Sequence, residues 1–233
     1  SGTNFNLIYD VLQGKVKNLF SDEEFRMYTA LLLSAIVLIT INLYFTNYNS
    51  IIQSLRYAAF QVTSISSTTG FANVDYDTWS PFCRWILLIL MFIGGSAGST
   101  AGGIKVIRIK LLIKKGLQEL YRLLHPRAVK KVKINKHIVS ETVSTSILGF
   151  FFLYIIVFVV VTLVLTYHGI DILSSISAVA ATLGNIGPGL GIVGPLKTYL
   201  SFPESAKLLL TFCMLMGRLE IYTILVFIFM HKH

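Results

Sequence analysis

Cysteine is nearly missing from this sequence: Cys83 and Cys213 are the only two in 233 residues, far apart and each beside or within an apolar run. That excludes a disulfide framework and any cysteine-based metal-ligand spacing. Charge is scarce as well. Asp, Glu, Lys and Arg make up 13% of the chain, against about a quarter in an ordinary soluble domain. Catalytic signatures are missing too: His125, His137, His168, His231 and His233 form no HExxH pair, and the order G-x-x-x-x-G-K-[ST] does not occur. The chain is therefore not expected to be an enzyme, and no covalent cofactor is expected. It also lacks the basic n-region of a signal peptide, since Asp22, Glu23 and Glu24 directly precede the first long apolar run.

What the chain does have is apolar surface. With 54% hydrophobic residues and a mean hydropathy of +0.70, it belongs in a bilayer. Its net charge of +9 would, in a soluble protein, invite a nucleic-acid partner. The distribution argues against nucleic acid, because eleven of the twenty basic residues fall within 105–136, opposed by Glu119 alone. A bilayer core of roughly 30 Å takes about 20 helical residues. Runs of that kind occur at 27–45, 85–104, 142–167 and 208–230, the last carrying Arg218 and Glu220 near its middle. The basic segment joins the second run to the third. The positive-inside rule then places it, and both termini, in the cytoplasm, in reach of anionic membrane lipid and of any cytosolic partner.

Two segments neither span nor dissolve. Residues 51–63 read as a helix opened by Asn49 or Ser50, too short and polar to cross, ending in Ser66, Ser67, Thr68, Thr69, Gly70 and Phe71. Residues 172–183 read as a second short helix capped by Asp171, running into Gly184, Asn185, Ile186, Gly187, Pro188 and Gly189. Placing Gly187 on Gly70 gives an offset of 117 residues, and the same offset brings the outer spans into register. A spanning pair enclosing a short helix and a glycine-containing loop thus occurs twice. Irregular backbone at membrane depth is tolerated where protein buries it or where it lines a water-filled path. The repeated loops therefore suggest a pore in which backbone carbonyls replace the water shell of a monovalent cation, with no metal site beyond that ion. The alternative for Gly70 and Gly187 is the ordinary task of glycine after a helix, the C-terminal cap.

The second span holds Gly94, Gly95, Gly98, Gly102 and Gly103 among Leu, Ile and Phe. Either it is unwound as a mobile constriction beneath the loops, or the four-residue spacing of Gly94, Gly98 and Gly102 is a close-packing helix face. By the 117 offset Arg218 falls opposite Ala101. Its charge either projects into the cation path or serves as an ion pair or carbonyl cap with a neighbouring span.

The stretch Ser67, Thr68, Thr69, Gly70, Phe71, residues 94–108, Gly184 to Gly189, and Met216, Gly217, Arg218, Leu219, Glu220 together resemble the last two repeats of Trk/Ktr/HKT potassium transporter pore subunits, most closely the bacterial Trk type. The resemblance covers nearly the whole chain. It implies an all-α polytopic membrane protein of membrane-pore-membrane repeats with re-entrant pore helices and filter loops. The filter would use Thr68, Thr69, Gly70 and Phe71 with Asn185, Ile186, Gly187 and Pro188. The gate would use Gly94, Gly95, Gly98, Gly102 and Gly103, with Arg218 as the charge lining the pore. K⁺ would be the transported ion and the cytoplasmic (inner) membrane the location. The chain would divide into a cytoplasmic N-terminal segment (1–26), a first repeat (27–115), a basic cytoplasmic linker (116–137) and a second repeat (138–233). Family members carry four repeats and this chain two. The pore then needs two more repeats, from a missing N-terminal half or from a second copy, and the start without Met favours a fragment. The resemblance also implies a homodimer of complete pore subunits and a cytosolic ring of nucleotide-binding regulatory subunits. A non-conducting assembly or regulatory membrane subunit is the competing expectation.

Overall fold

The computed structural model describes residues 2–125, 131–135, 137–219 and 222–223. Two short helices, α1 (Phe5–Leu12) and α2 (Val16–Ser21), precede α3 (Glu23–Leu43). Asp22 starts α3, its carboxylate accepting from the Phe25 N–H at 2.7 Å. The helix ends in one wide turn over Tyr44–Tyr48, and Glu23–Tyr48 as a whole is long and apolar enough to cross a membrane. It extends to either side of the expected run 27–45. After Asn49 in the left-handed region, α4 (Ile51–Ser66) descends against α3 and exceeds its expected end at 63.

Tyr76 and Trp79, both buried, anchor a single tight turn before α5 (Pro81–Phe92). Ser80 caps α5 through the Cys83 N–H, and Pro81 fits the first turn, where a missing N–H costs nothing. The second apolar run was expected to extend from 85 to 104, but the helix stops at Phe92. Residues 93–105 are not helical, because five glycines weaken this stretch by about 1 kcal/mol each relative to Ala while polar partners reward an open backbone. Helix α6 (Val106–Leu124) then carries basic residues along one side. Many of these are paired within the chain rather than left to lipid: Lys110 and Lys114 reach Glu23 at 2.8 and 2.7 Å, and Lys115 reaches Glu141 at 3.0 Å. A minimal hairpin, β1 (Lys133–Ile134) with β2 (His137–Ile138), leads onward.

Helix α7 (Glu141–Tyr167) matches the third expected span and is long and apolar enough to cross. Helix α8 (Ile172–Leu183) has the expected bounds, and Asp171 caps it by accepting from the Ser174 N–H at 3.0 Å. Helix α9 (Glu204–Leu219) begins four residues before the expected fourth run; residues 220–221 and 224–230 of that run lie outside the described residues. One apolar core gathers α3, α4 and α5 around Ile39, Leu43, Val62 and Leu87; another gathers α7, α8 and α9 around Leu165, Val179, Leu210 and Cys213. Phe92 and Phe158 join them edge to face at 4.9 Å.

Candidate ion-conduction site

Helices α4 and α8 end in the same way. After α4, the N–H groups of Ser67, Thr68 and Thr69 donate to the carbonyls of Thr63, Ile65 and Ser64 at 3.0 Å each. After α8, those of Gly184, Asn185 and Ile186 donate to Ala180, Thr182 and Ala181 at 2.8, 3.1 and 2.9 Å. Every partner is shifted by the same 117 residues. The pattern is a Schellman cap, and its left-handed position is held by Thr68 (φ +54°) and Asn185 (φ +53°). The cap that is the alternative reading of Gly70 and Gly187 is therefore made two residues earlier. Those glycines, at φ +71° and +111°, bend the chain a second time. A β-branched residue in the left-handed region is uncommon and costs about 1–3 kcal/mol.

The two loops lie against each other. A Cβ on Gly70 would run into the carbonyl oxygen of Ile186 and come within 3.2 Å of Pro188, so only glycine permits that approach. Thr69 returns its hydroxyl to the Ser64 carbonyl at 3.2 Å, and the Phe71 carbonyl accepts from the Ser64 hydroxyl at 2.7 Å while its ring is exposed. Asn185 directs its amide to the Met214 carbonyl at 3.2 Å, which ties the second loop to α9. Sequence reasoning missed two further supports. The Tyr199 hydroxyl donates to the Gly187 carbonyl at 2.8 Å. Asp77 accepts from the Gly191 N–H at 3.0 Å and from Lys197 at 3.1 Å, with Arg84 at 3.9 Å, clasping the second loop from the first half of the chain.

The glycine-rich segment leaves the helix and returns in a loop closed at its base. Ile104 N–H donates to Phe92, Gly94 N–H to Ile104, and Val106 N–H to Gly95, at 3.1, 3.0 and 3.2 Å. The packing-face alternative for Gly94, Gly98 and Gly102 requires a helix, and this stretch is not one. Its carbonyls face cations: Arg218 Nη1 donates to Thr100 O at 2.8 Å, and Lys105 Nζ donates to Ser99 O at 3.3 Å and to Ala101 O. The 117 offset had set Arg218 opposite Ala101, one residue away. Gly102 N–H donates to Thr68 Oγ1 at 2.9 Å, and a Cβ on Gly102 would run into the Gly184 carbonyl. Gly95 and Gly98 lie against Gly2 and Asn4 of the N-terminal arm, whose Phe5 N–H donates to Gly98 O at 3.2 Å, and Gly103 (φ +66°) lies against Gly94. The resulting cavity of about 440 Å³ is lined by Thr100, Gly102, Lys105, Arg108, Tyr154 and Arg218. Arg108 stacks over Phe150 at 4.2 Å.

Comparison with known proteins defines the class. Residues 1–232 match the family model TrkH, described as a cation transport protein, and the chain belongs to that family. Among its relatives are the Trk system potassium uptake protein TrkH of Salmonella typhimurium, 42% identical over 97% of this chain and 47% of the relative, and TrkG of Escherichia coli, 35% identical over 97% and 46%. The crystal structure of the potassium transporter TrkH from Vibrio parahaemolyticus superposes with a TM-score of 0.88 at 41% identity, over 96% of this chain and 48% of that one. The chain thus spans about half the length of these relatives. The helical membrane-protein fold expected from the sequence is that of this transporter family.

Proposed function

We propose that this chain forms half of a potassium-translocating pore of a Trk-type uptake system in the cytoplasmic membrane. The observation that carries the reading is the doubled cap-and-bend at 67–70 and 184–187, whose two copies abut at Gly70 and Ile186. In this reading residues 27–115 and 138–233 are two membrane-pore-membrane units, and α4 and α8 are re-entrant pore helices that aim the negative ends of their dipoles at the ion. Carbonyls of Thr68, Thr69, Gly70 and Phe71 and of Asn185, Ile186, Gly187 and Pro188 form two of the strands that strip K⁺ of water. The loop at 94–103 is the gate beneath them, and Arg218 is the charge that holds it.

Two more units, from a preceding half of the native polypeptide or from a second copy, complete the ring around the ion. Complete subunits pair as homodimers and dock cytosolic nucleotide-binding regulatory subunits on the basic side. Segment 1–26, the basic linker 116–137 and both termini lie in the cytoplasm, next to membrane lipid. The test is uptake of K⁺ or Rb⁺ into liposomes holding the complete native protein. Uptake above that of empty liposomes, with less for Na⁺, is expected; liposomes that take up neither ion would favour the non-conducting assembly or regulatory subunit.

A further inference from the structure

Resting on the pore reading above, we infer that Glu24 is the positioning residue of the gate loop, fastening the loop and the start of the helix that follows it to α3. Glu24 sits in the first turn of α3 and is only 5% exposed, unusual for a carboxylate among apolar helices. One oxygen, Oε1, accepts from two backbone N–H groups, Ala97 at 2.7 Å and Ile107 at 3.1 Å. Ala97 lies within the glycine-rich segment, past its closed base; Ile107 lies in the first turn of α6, where the chain has returned to helix. The first-turn N–H groups of a helix have no partner within it, so a carboxylate there is favoured both as an acceptor and by the helix dipole. The same oxygen thus caps α6 and holds the loop.

The neighbouring residue gives this fastening its direction. Glu23 holds Lys110 and Lys114 one and two turns further along α6, so consecutive acids bind the helix and the loop to one point on α3. The N-terminal arm reaches the same place: Ser96 N–H donates to Gly2 O at 2.8 Å. A shift of α6 cannot leave residues 96–98 in place while Glu24 keeps both bonds. Displacement on the cytoplasmic side is therefore delivered to the gate through this carboxylate.

The test compares Glu24→Ala, Glu24→Gln and Glu24→Asp in the complete native protein, reading Rb⁺ flux per reconstituted molecule together with thermal unfolding. Gln keeps an accepting oxygen at the same reach and is expected to stay within about threefold of wild type. Ala releases the loop and is expected to raise flux by about tenfold, the bias that a hydrogen bond to a charged group puts on a two-state element. Asp keeps the charge but draws it back by one methylene, and is expected to behave like Ala. Folded Ala protein with wild-type or lower flux would overturn the assignment. If the Ala variant does not fold, Asp and Gln decide: equal flux in those two overturns it. Wild-type protein without flux would instead remove the pore reading itself.

Discussion

Thr68 and Gly102 are 34 positions apart in the chain, yet the Gly102 N–H donates to the Thr68 hydroxyl at 2.9 Å, joining the loop after α4 to the glycine-rich segment. Thr68 occupies the left-handed position of the α4 cap, where glycine would be easier. A strained residue that persists at a candidate site is held by its surroundings, and the bond to Gly102 is one such hold.

Thr68→Val keeps the shape and removes the acceptor, leaving the Gly102 N–H unpaired at a cost of about 1–3 kcal/mol. The expected result is a lower unfolding temperature together with higher resting Rb⁺ leak in the complete protein, whereas Thr68→Ser should retain both wild-type values. Equal behaviour of Val and Ser would mean the hydroxyl does not restrain the loop.

Gly70→Ser and Gly187→Ser separate crowding from backbone strain. At Gly70 the added Cβ meets the Ile186 carbonyl as well as a positive φ; at Gly187 nothing lies within 4 Å and only the φ of +111° resists. Both should weaken the preference for K⁺ over Na⁺ in competitive uptake. Gly70→Ser should lose more stability, by at least about 1 kcal/mol, since overpacking adds to the strain. Unchanged ion preference in both would argue against filter roles for these loops.

Arg218→Gln removes the charge that the Thr100 carbonyl accepts from. A fixed cation in a partly low-dielectric path repels K⁺ several-fold more strongly than in bulk water. Removing it also frees the loop, so K⁺ flux should rise, while Arg218→Lys should stay near wild type. A drop in unfolding temperature without any change in flux per molecule would make Arg218 scaffolding alone.

Topology has its own test, aided by the burial of the two thiols in this chain, Cys83 and Cys213. Single cysteines at Asp75 and at Leu196, which is 76% exposed, should react with an impermeant maleimide from outside intact cells. One at Lys131 should react after permeabilisation only. Outside labelling at position 131 would invert the arrangement.

Replacing Gly98 and Gly102 with Ala would be a simple way to rebuild a helix if the segment were merely flexible. The geometry predicts another outcome: Gly98 has φ +70° and a Cβ on Gly102 runs into the Gly184 carbonyl. The double variant should therefore displace the loop from α8 and change flux, without lengthening α5 in a helicity measurement by circular dichroism.

The parts of the structure legible in the sequence are those that local physics decides. The long apolar helices α3 and α7 follow from uncharged length, α8 from an Asp171 cap ahead of an apolar stretch, and the doubled loop from self-similarity at one offset. The interruption after Phe92 was legible as glycine density, although the sequence could not choose between an opened backbone and a packing face. What stayed hidden depends on partners distant in sequence. Glu24 finds Ala97 across 73 positions and Asp77 finds Gly191 across 114, whereas the repeat offset brings Arg218 to within one residue of its partner Thr100. No periodicity or cap signal encodes the Glu24 and Asp77 pairs. Nor does any local signal mark Tyr199, whose hydroxyl donates to the Gly187 carbonyl.

The serines of α8 have a consequence for how an ion would meet the second loop. Ser177 both accepts from the Leu190 N–H and donates to its carbonyl, at 3.0 and 2.9 Å, and Ser174 accepts from the Ile192 N–H at 2.9 Å. The return leg of the loop is thus sewn to its own helix by short side chains that have almost no rotamer freedom left to lose. The entropy of ordering this stretch is spent when the chain folds, on the order of 1–2 kcal/mol per residue, and little is left to lose when a cation arrives. A site prepared in that way can take up and release an ion without rearranging, so exchange need not wait on a movement of the loop.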